Sequence, residues 1–147
     1  MKIILVLSLL LGFSTSSFAE DIVGTWSFRS GECSSKAPLK LDLNSNLFQF
    51  KISRNSRGQM IYDQILFSGA TWNVQQGKFT TTPGGFCADI QSTVQSGEGT
   101  SVSGSRQCMK YQMTNSDLMA VSYGPIKNKD AECPVGDTVS AYFTRVK

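Results

Sequence analysis

The chain contains no histidine among its 147 residues. This absence excludes Ser-His-Asp and Cys-His catalytic groups, zinc sites with histidine ligands, and a pH switch that depends on an imidazole. Charge is also scarce and nearly balanced, with 14 Lys and Arg against 11 Asp and Glu. Proteins that bind nucleic acids carry a clustered excess of positive charge, so the balance argues against a nucleic-acid partner.

Other residues that support catalysis or metal binding are thinly distributed. The acidic residues are too scattered to form a catalytic carboxylate pair. Asn128, Asp130 and Glu132 are residue types that bind calcium, but the spacing of an EF-hand loop does not follow. We therefore predict that the protein is not an enzyme and that it uses no cofactor and no metal.

The single long apolar run lies at the start of the chain, over residues 3–13. Ser17 and Ala19 are small residues of the kind that a signal peptidase recognises, which predicts a removable signal peptide over residues 1–19. The run is too short for a transmembrane helix, which needs about 20 residues. We expect residues 20–147 to form one domain that is exported to the periplasm or secreted, without stable membrane insertion.

The cysteines are even in number, and no two of them form a Cys-x-x-Cys pair: Cys33, Cys87, Cys108 and Cys133. In an exported chain this predicts two structural disulfides. Four cysteines allow three pairings, and their number alone leaves all three open.

Apolar and polar residues alternate along most of the chain after the predicted signal, which is typical of half-buried β-strands. In the first strand, Ile22, Gly24, Trp26 and Phe28 share one face. Further strands are predicted around residues 39–43, 48–52, 60–67, 69–74, 78–82, 109–113, 118–123 and 138–146. The pattern thus predicts an all-β domain of about eight to ten antiparallel strands.

Turn-forming residues separate these strands. We interpret Gln75-Gln76-Gly77 as the turn of a hairpin, and Pro83-Gly84-Gly85 as the end of the strand before it. Residues 30–38 and 124–137 are predicted to be loops, as is the Ser/Gly-rich stretch 95–105.

Two short motifs resemble those of a known family. Gly24-Thr25-Trp26 on the first strand and Phe143-Thr144-Arg145 on the last resemble the calycin superfamily, which includes lipocalins, avidins and bacterial lipocalin-like domains. The resemblance implies a single up-and-down, lipocalin-like β-barrel. It also implies that Trp26 closes one end of the barrel and that Arg145 packs across its ring.

In such a barrel the first and last strands are antiparallel neighbours. Cys33 follows the first strand and Cys133 precedes the last, so both belong at the rim opposite Trp26. We therefore prefer the pairing Cys33–Cys133, which leaves Cys87–Cys108 as the second bond.

Aromatic residues recur along the predicted strands, and in the calycin family the inward ones line an apolar cup. The candidate ligand-binding residues are Phe48, Phe50, Tyr62, Trp72, Tyr111 and Tyr123. Together with the predicted export and the absence of histidine, they predict a non-catalytic protein that binds a small apolar or amphipathic ligand at the end opposite Trp26. We expect this protein to be a monomer.

The alternative is that these aromatic residues fill a small barrel completely. The protein would then be a protein-binding module, such as a secreted or periplasmic protease inhibitor. An open, aromatic-lined cavity distinguishes the first function from the second.

Overall fold

The computed structural model describes residues 22–39, 46–68, 71–97, 99–102, 104–127, 129 and 132–147. This part of the chain is all-β, with nine strands: β1 (Gly24–Cys33), β2 (Asn46–Arg54), β3 (Met60–Ser68), β4 (Thr71–Thr82), β5 (Gly85–Gln95), β6 (Gly99–Val102), β7 (Arg106–Asn115), β8 (Leu118–Tyr123) and β9 (Val139–Arg145). The predicted signal peptide, residues 1–19, lies outside the described residues, as do Leu41 and Leu43 of a predicted strand. No helix in the described ranges is long and apolar enough to cross a membrane.

Eight of the strands close into an antiparallel barrel. Their order is β4-β3-β2-β1-β9-β8-β7-β5, and pairing between β4 and β5 closes the ring. One edge of β5 pairs with β4, and the other edge pairs with both β7 and the short strand β6. Along that second edge, Asp89 lies opposite Arg106 of β7 and Ser92 lies opposite Val102 of β6. β6 and β7 therefore share one position in the ring. The predicted fold class, an up-and-down antiparallel barrel of about eight to ten strands, is confirmed.

The two ends of the barrel carry different residues and different connections. Trp26 of β1 lies opposite Arg145 of β9 at one end, and Cys33 lies opposite Val139 at the other. The connections 34–45 and 124–138 join strands at the Cys33 end, which we call the mouth. The Trp26 end, which we call the floor, carries only short connections between strands.

The floor is closed by a buried tryptophan under an arginine. Trp26 is 0% exposed, and its indole Nε1 donates a hydrogen bond of 2.9 Å to the Ile22 carbonyl. The Arg145 guanidinium carbon lies 4.3 Å from the centre of the Trp26 ring, and Nη1 donates to the Val23 carbonyl at 2.6 Å. Gly24 has a φ of +148°, and a side chain there would collide with the Arg145 guanidinium. The motif thus needs its glycine as well as its tryptophan.

The prediction of a hairpin turn at Gln75-Gln76-Gly77 is wrong. These residues lie inside one continuous strand, β4, and the register with β5 shifts between Gln76 and Gly77. A side chain at position 77 would collide with the backbone of Asp89. The glycine therefore permits a close approach of two strands at a β-bulge, and it makes no turn.

The predicted loops 30–38 and 95–105 are also wrong in part. Strand β1 continues to Cys33, after a register shift between Phe28 and Ser30. Residues 99–102 form β6. In β1 a bulge interrupts the alternation of apolar and polar residues. The polar residues after the bulge therefore resemble a loop in sequence, although they still pair with β9.

Candidate ligand-binding site

A cavity of about 670 Å³ lies inside the barrel in the half next to the mouth. Small-molecule sites in proteins typically have volumes of about 300–1,000 Å³. Most of the residues that line it are apolar: Phe28, Leu39, Phe48, Phe50, Leu66, Met109, Val121, Val139, Ala141 and Phe143. The barrel is therefore open at this end and is not filled completely by side chains.

Four phenylalanines form one continuous wall of the cavity. They come from three neighbouring strands, with Phe28 on β1, Phe48 and Phe50 on β2, and Phe143 on β9. The Phe143 ring centre lies 5.6 Å from Phe28, 5.4 Å from Phe48 and 4.8 Å from Phe50, each pair in an edge-to-face arrangement. Such contacts are favourable beyond the burial of area and orient the rings. The wall therefore presents preformed aromatic surface to a ligand.

The polar groups of the cavity come from the remaining strands and from the mouth. Tyr62 and Gln64 lie on β3, Gln107 on β7, Tyr123 on β8, and Glu132 in the β8–β9 connection. The Tyr62 hydroxyl donates a hydrogen bond of 2.6 Å to Gln64 Oε1, and the Tyr123 hydroxyl donates to Glu132 Oε1. The cavity therefore combines an aromatic wall with a set of hydrogen-bonding groups beside it, and the Tyr62 ring stacks on Phe50 with the ring centres 5.7 Å apart.

Burial raises the pKa of the Tyr62 hydroxyl well above its ordinary value near 10. The pKa of Tyr123 is raised as well, first by burial and then by its hydrogen bond to the Glu132 carboxylate. Both phenols therefore stay neutral across the physiological range and act as hydrogen-bonding groups.

These raised pKa values predict a loss of stability in alkali. In the unfolded chain a tyrosine ionises near pH 10, whereas in the folded protein Tyr62 and Tyr123 retain their protons to higher pH. Above about pH 10 the unfolded chain therefore binds fewer protons, so the free energy of unfolding falls. Urea unfolding as a function of pH checks this, and Tyr62→Phe should make the decline shallower. An unchanged slope in that variant, with reversible unfolding, would contradict the assignment.

The mouth is held together by a disulfide and by hydrogen bonds. Cys33 at the end of β1 is joined to Cys133 in the β8–β9 connection, the pairing preferred from the sequence. Beside it, the Ser34 N–H donates to the Thr138 carbonyl at 2.9 Å, and the Thr138 N–H donates to Ser34 Oγ at 3.1 Å. The segment that carries Glu132 is therefore fixed to β1.

The second disulfide also has the preferred pairing, Cys87–Cys108. It joins residues that lie directly opposite each other on β5 and β7. This bond links two neighbouring strands of the barrel wall, and Cys108 is among the residues that line the cavity.

The structure brings four of the six candidate residues together. Phe48, Phe50, Tyr62 and Tyr123 all line the cavity. Tyr111 does not line it and instead packs on Phe86, with the ring centres 5.9 Å apart.

Trp72 is also not among the residues that line the cavity. It lies opposite Phe67 on β3, whose side chain is 42% exposed, so both face the outside of the barrel. Its outward position follows from the register, because Gln64 and Leu66 on the same strand face inward and Phe67 must face the other way.

Sequence reasoning missed several residues of the site, including Phe28, Gln64, Gln107 and Glu132. A signal existed for Phe28, because it shares the face of Trp26 on the first strand. A weaker one existed for Glu132, which directly precedes a cysteine expected at the rim. The two glutamines carried none, since amide side chains are common on either face of a strand.

Comparison with known proteins identifies no family. No protein-family model matches the chain, and no curated protein matches it. Among solved structures the chain is similar to a de novo designed fluorescence-activating β-barrel, with a TM-score of 0.46 and 16% sequence identity. That match covers 87% of this chain and 96% of the designed one.

Proposed function

We propose that this protein binds a small amphipathic molecule inside its barrel and does not catalyse a reaction on it. The observation that carries the proposal is the open cavity of about 670 Å³, which is lined by a phenylalanine wall and by several hydrogen-bonding groups. Apolar pockets with a few convergent polar groups are typical of ligand sites. The floor, closed by Trp26 and Arg145, leaves the mouth as the route of entry.

The chemistry of the cavity supports binding without catalysis. The chain has no histidine to act as a general base near neutral pH. The two tyrosines in the cavity have raised pKa values, so neither supplies a phenolate at neutral pH.

We also propose that the protein is exported and is related to the calycin superfamily. The barrel topology and the contact between Trp26 and Arg145 agree with what that resemblance implies. Two disulfides are typical of proteins from oxidising compartments outside the cytosol.

A neutral fluorescent probe tests the proposed function directly. N-phenyl-1-naphthylamine should bind the oxidised protein with a stoichiometry of about 1:1, and its emission should rise as it enters the cavity. Phe48→Ala should weaken binding about tenfold, because it removes part of the aromatic wall.

Phe67→Ala is the matched control for this change. Phe67 lies on the neighbouring strand but faces outward, so its loss should leave probe affinity unchanged. If the folded, oxidised protein bound no probe, the cavity would not be a ligand site. A protein-binding module, such as a protease inhibitor, would then be the better interpretation.

A further inference from the structure

The cavity has one side chain with a formal charge among its described lining residues, and that charge is negative. This side chain is Glu132, whose carboxylate accepts a hydrogen bond from the Tyr123 hydroxyl. Within the described ranges, no lysine or arginine forms an ion pair with Glu132. The carboxylate therefore has no cationic partner from the described part of the protein.

The phenylalanine wall of the cavity also favours positive charge. The faces of aromatic rings carry negative electrostatic potential, and cations are attracted to them. Phe28, Phe48, Phe50 and Phe143 supply four such rings in contact with one another. Inside a partly enclosed cavity, electrostatic interactions are stronger than in water, so these groups together disfavour an anion and favour a cation.

We infer that the ligand is an organic cation with an apolar body and a protonated nitrogen at one end. This inference rests on the proposed function. The nitrogen lies near Glu132 and Tyr123 at the mouth, and the apolar body extends toward Phe50 and Phe143.

This orientation follows from where the groups lie. Glu132 precedes Cys133, whose disulfide to Cys33 fixes it at the rim. Phe50 and Phe143 are 3% exposed each, and both belong to the buried core that continues toward the floor. A charged end near the rim remains close to water, whereas the apolar end loses its contact with water.

Three molecules with the same eight-carbon tail test the inference by displacing N-phenyl-1-naphthylamine at pH 7. Octylamine is then protonated, octanol is neutral and octanoate is ionised. We expect octylamine to bind at least about tenfold more tightly than octanoate, with octanol between them. The whole chain carries a net charge of +3, which would by itself attract octanoate, so a preference for the amine has to come from the site.

Glu132→Gln should remove most of that preference by weakening octylamine while leaving octanol unchanged. The matched control is Glu32→Gln, which changes the net charge equally at the same rim. Glu32 is exposed and pairs with Lys36 at 2.8 Å, and it does not line the cavity. That variant should keep the full preference for octylamine.

The outcomes separate the two proposals. If the probe binds but octylamine and octanoate displace it equally, the ligand is not selected as a cation, and the proposed function stands. Equal effects of the two glutamine variants would likewise overturn the role of Glu132. If no probe binds to the folded protein, the proposed function itself fails. The comparison of head groups uses the unaltered protein, so it remains decisive even if Glu132→Gln does not fold.

Discussion

Replacing Trp26 with alanine is expected to lower the free energy of unfolding by about 3–5 kcal/mol. The indole is completely buried, its Nε1 is bonded to the Ile22 carbonyl, and its ring supports the Arg145 guanidinium. Alanine would leave a cavity at the floor. It would also leave Arg145 without the aromatic face that it covers. Urea denaturation at neutral pH, followed by circular dichroism, measures the change.

The chain offers a matched control in its only other tryptophan, Trp72. Trp72 is half-buried on the outside of the barrel, opposite the exposed Phe67, so Trp72→Ala should cost about 1 kcal/mol. Each variant keeps one tryptophan, whose fluorescence reports unfolding independently. Equal losses in the two variants would mean that Trp26 does not close the floor as described.

The barrel could be predicted because most strands bury one face and expose the other. On β9, for example, Val139, Ala141 and Phe143 are buried, and the residues between them are more exposed. This alternation follows from the geometry of the strand and is visible in sequence. The pairing of the first and last strands then placed Trp26 beside Arg145 and Cys33 beside Cys133.

Strand β5 could not be predicted from alternation. Gly85, Phe86, Cys87 and Ala88 are all buried, so the strand shows no alternation over this stretch. The disulfide from Cys87 to Cys108 covers the outer face of the strand, which accounts for the burial of its outward residue. Periodicity alone cannot reveal a strand whose two faces are both covered.

The candidate site could be predicted only in part, for a related reason. An aromatic side chain on a strand can point into the barrel or away from it, and the register of the strand decides which. Phe48 and Trp72 look equivalent in sequence, yet one lines the cavity and the other lies outside the barrel. The bulge between Gln76 and Gly77 lies on the same strand as Trp72. Because this segment resembles a turn in sequence, the register of the strand that carries Trp72 could not be predicted.

Removing the disulfide at the mouth is expected to have the second large effect. In the chain-entropy model, a bond that closes a loop of about 100 residues contributes about 4.7 kcal/mol, and one that closes about 15 residues contributes about 3 kcal/mol. The sequence separations here are 100 for Cys33–Cys133 and 21 for Cys87–Cys108. The double variant Cys33→Ala/Cys133→Ala should therefore lose more stability than Cys87→Ala/Cys108→Ala, by about 1–2 kcal/mol.

The two double variants should also differ in ligand binding, and this difference is the sharper test. Without Cys33–Cys133, the connection that carries Glu132 is held to β1 only by hydrogen bonds such as those between Ser34 and Thr138. We expect the affinity for octylamine to fall, because Glu132 is no longer fixed at the rim. The Cys87→Ala/Cys108→Ala variant also alters a residue that lines the cavity, but it keeps the mouth bond, so its affinity for octylamine should fall less under conditions in which both variants are folded. If the two variants bound octylamine equally well, the disulfide would stabilise the barrel without positioning the charged group of the site.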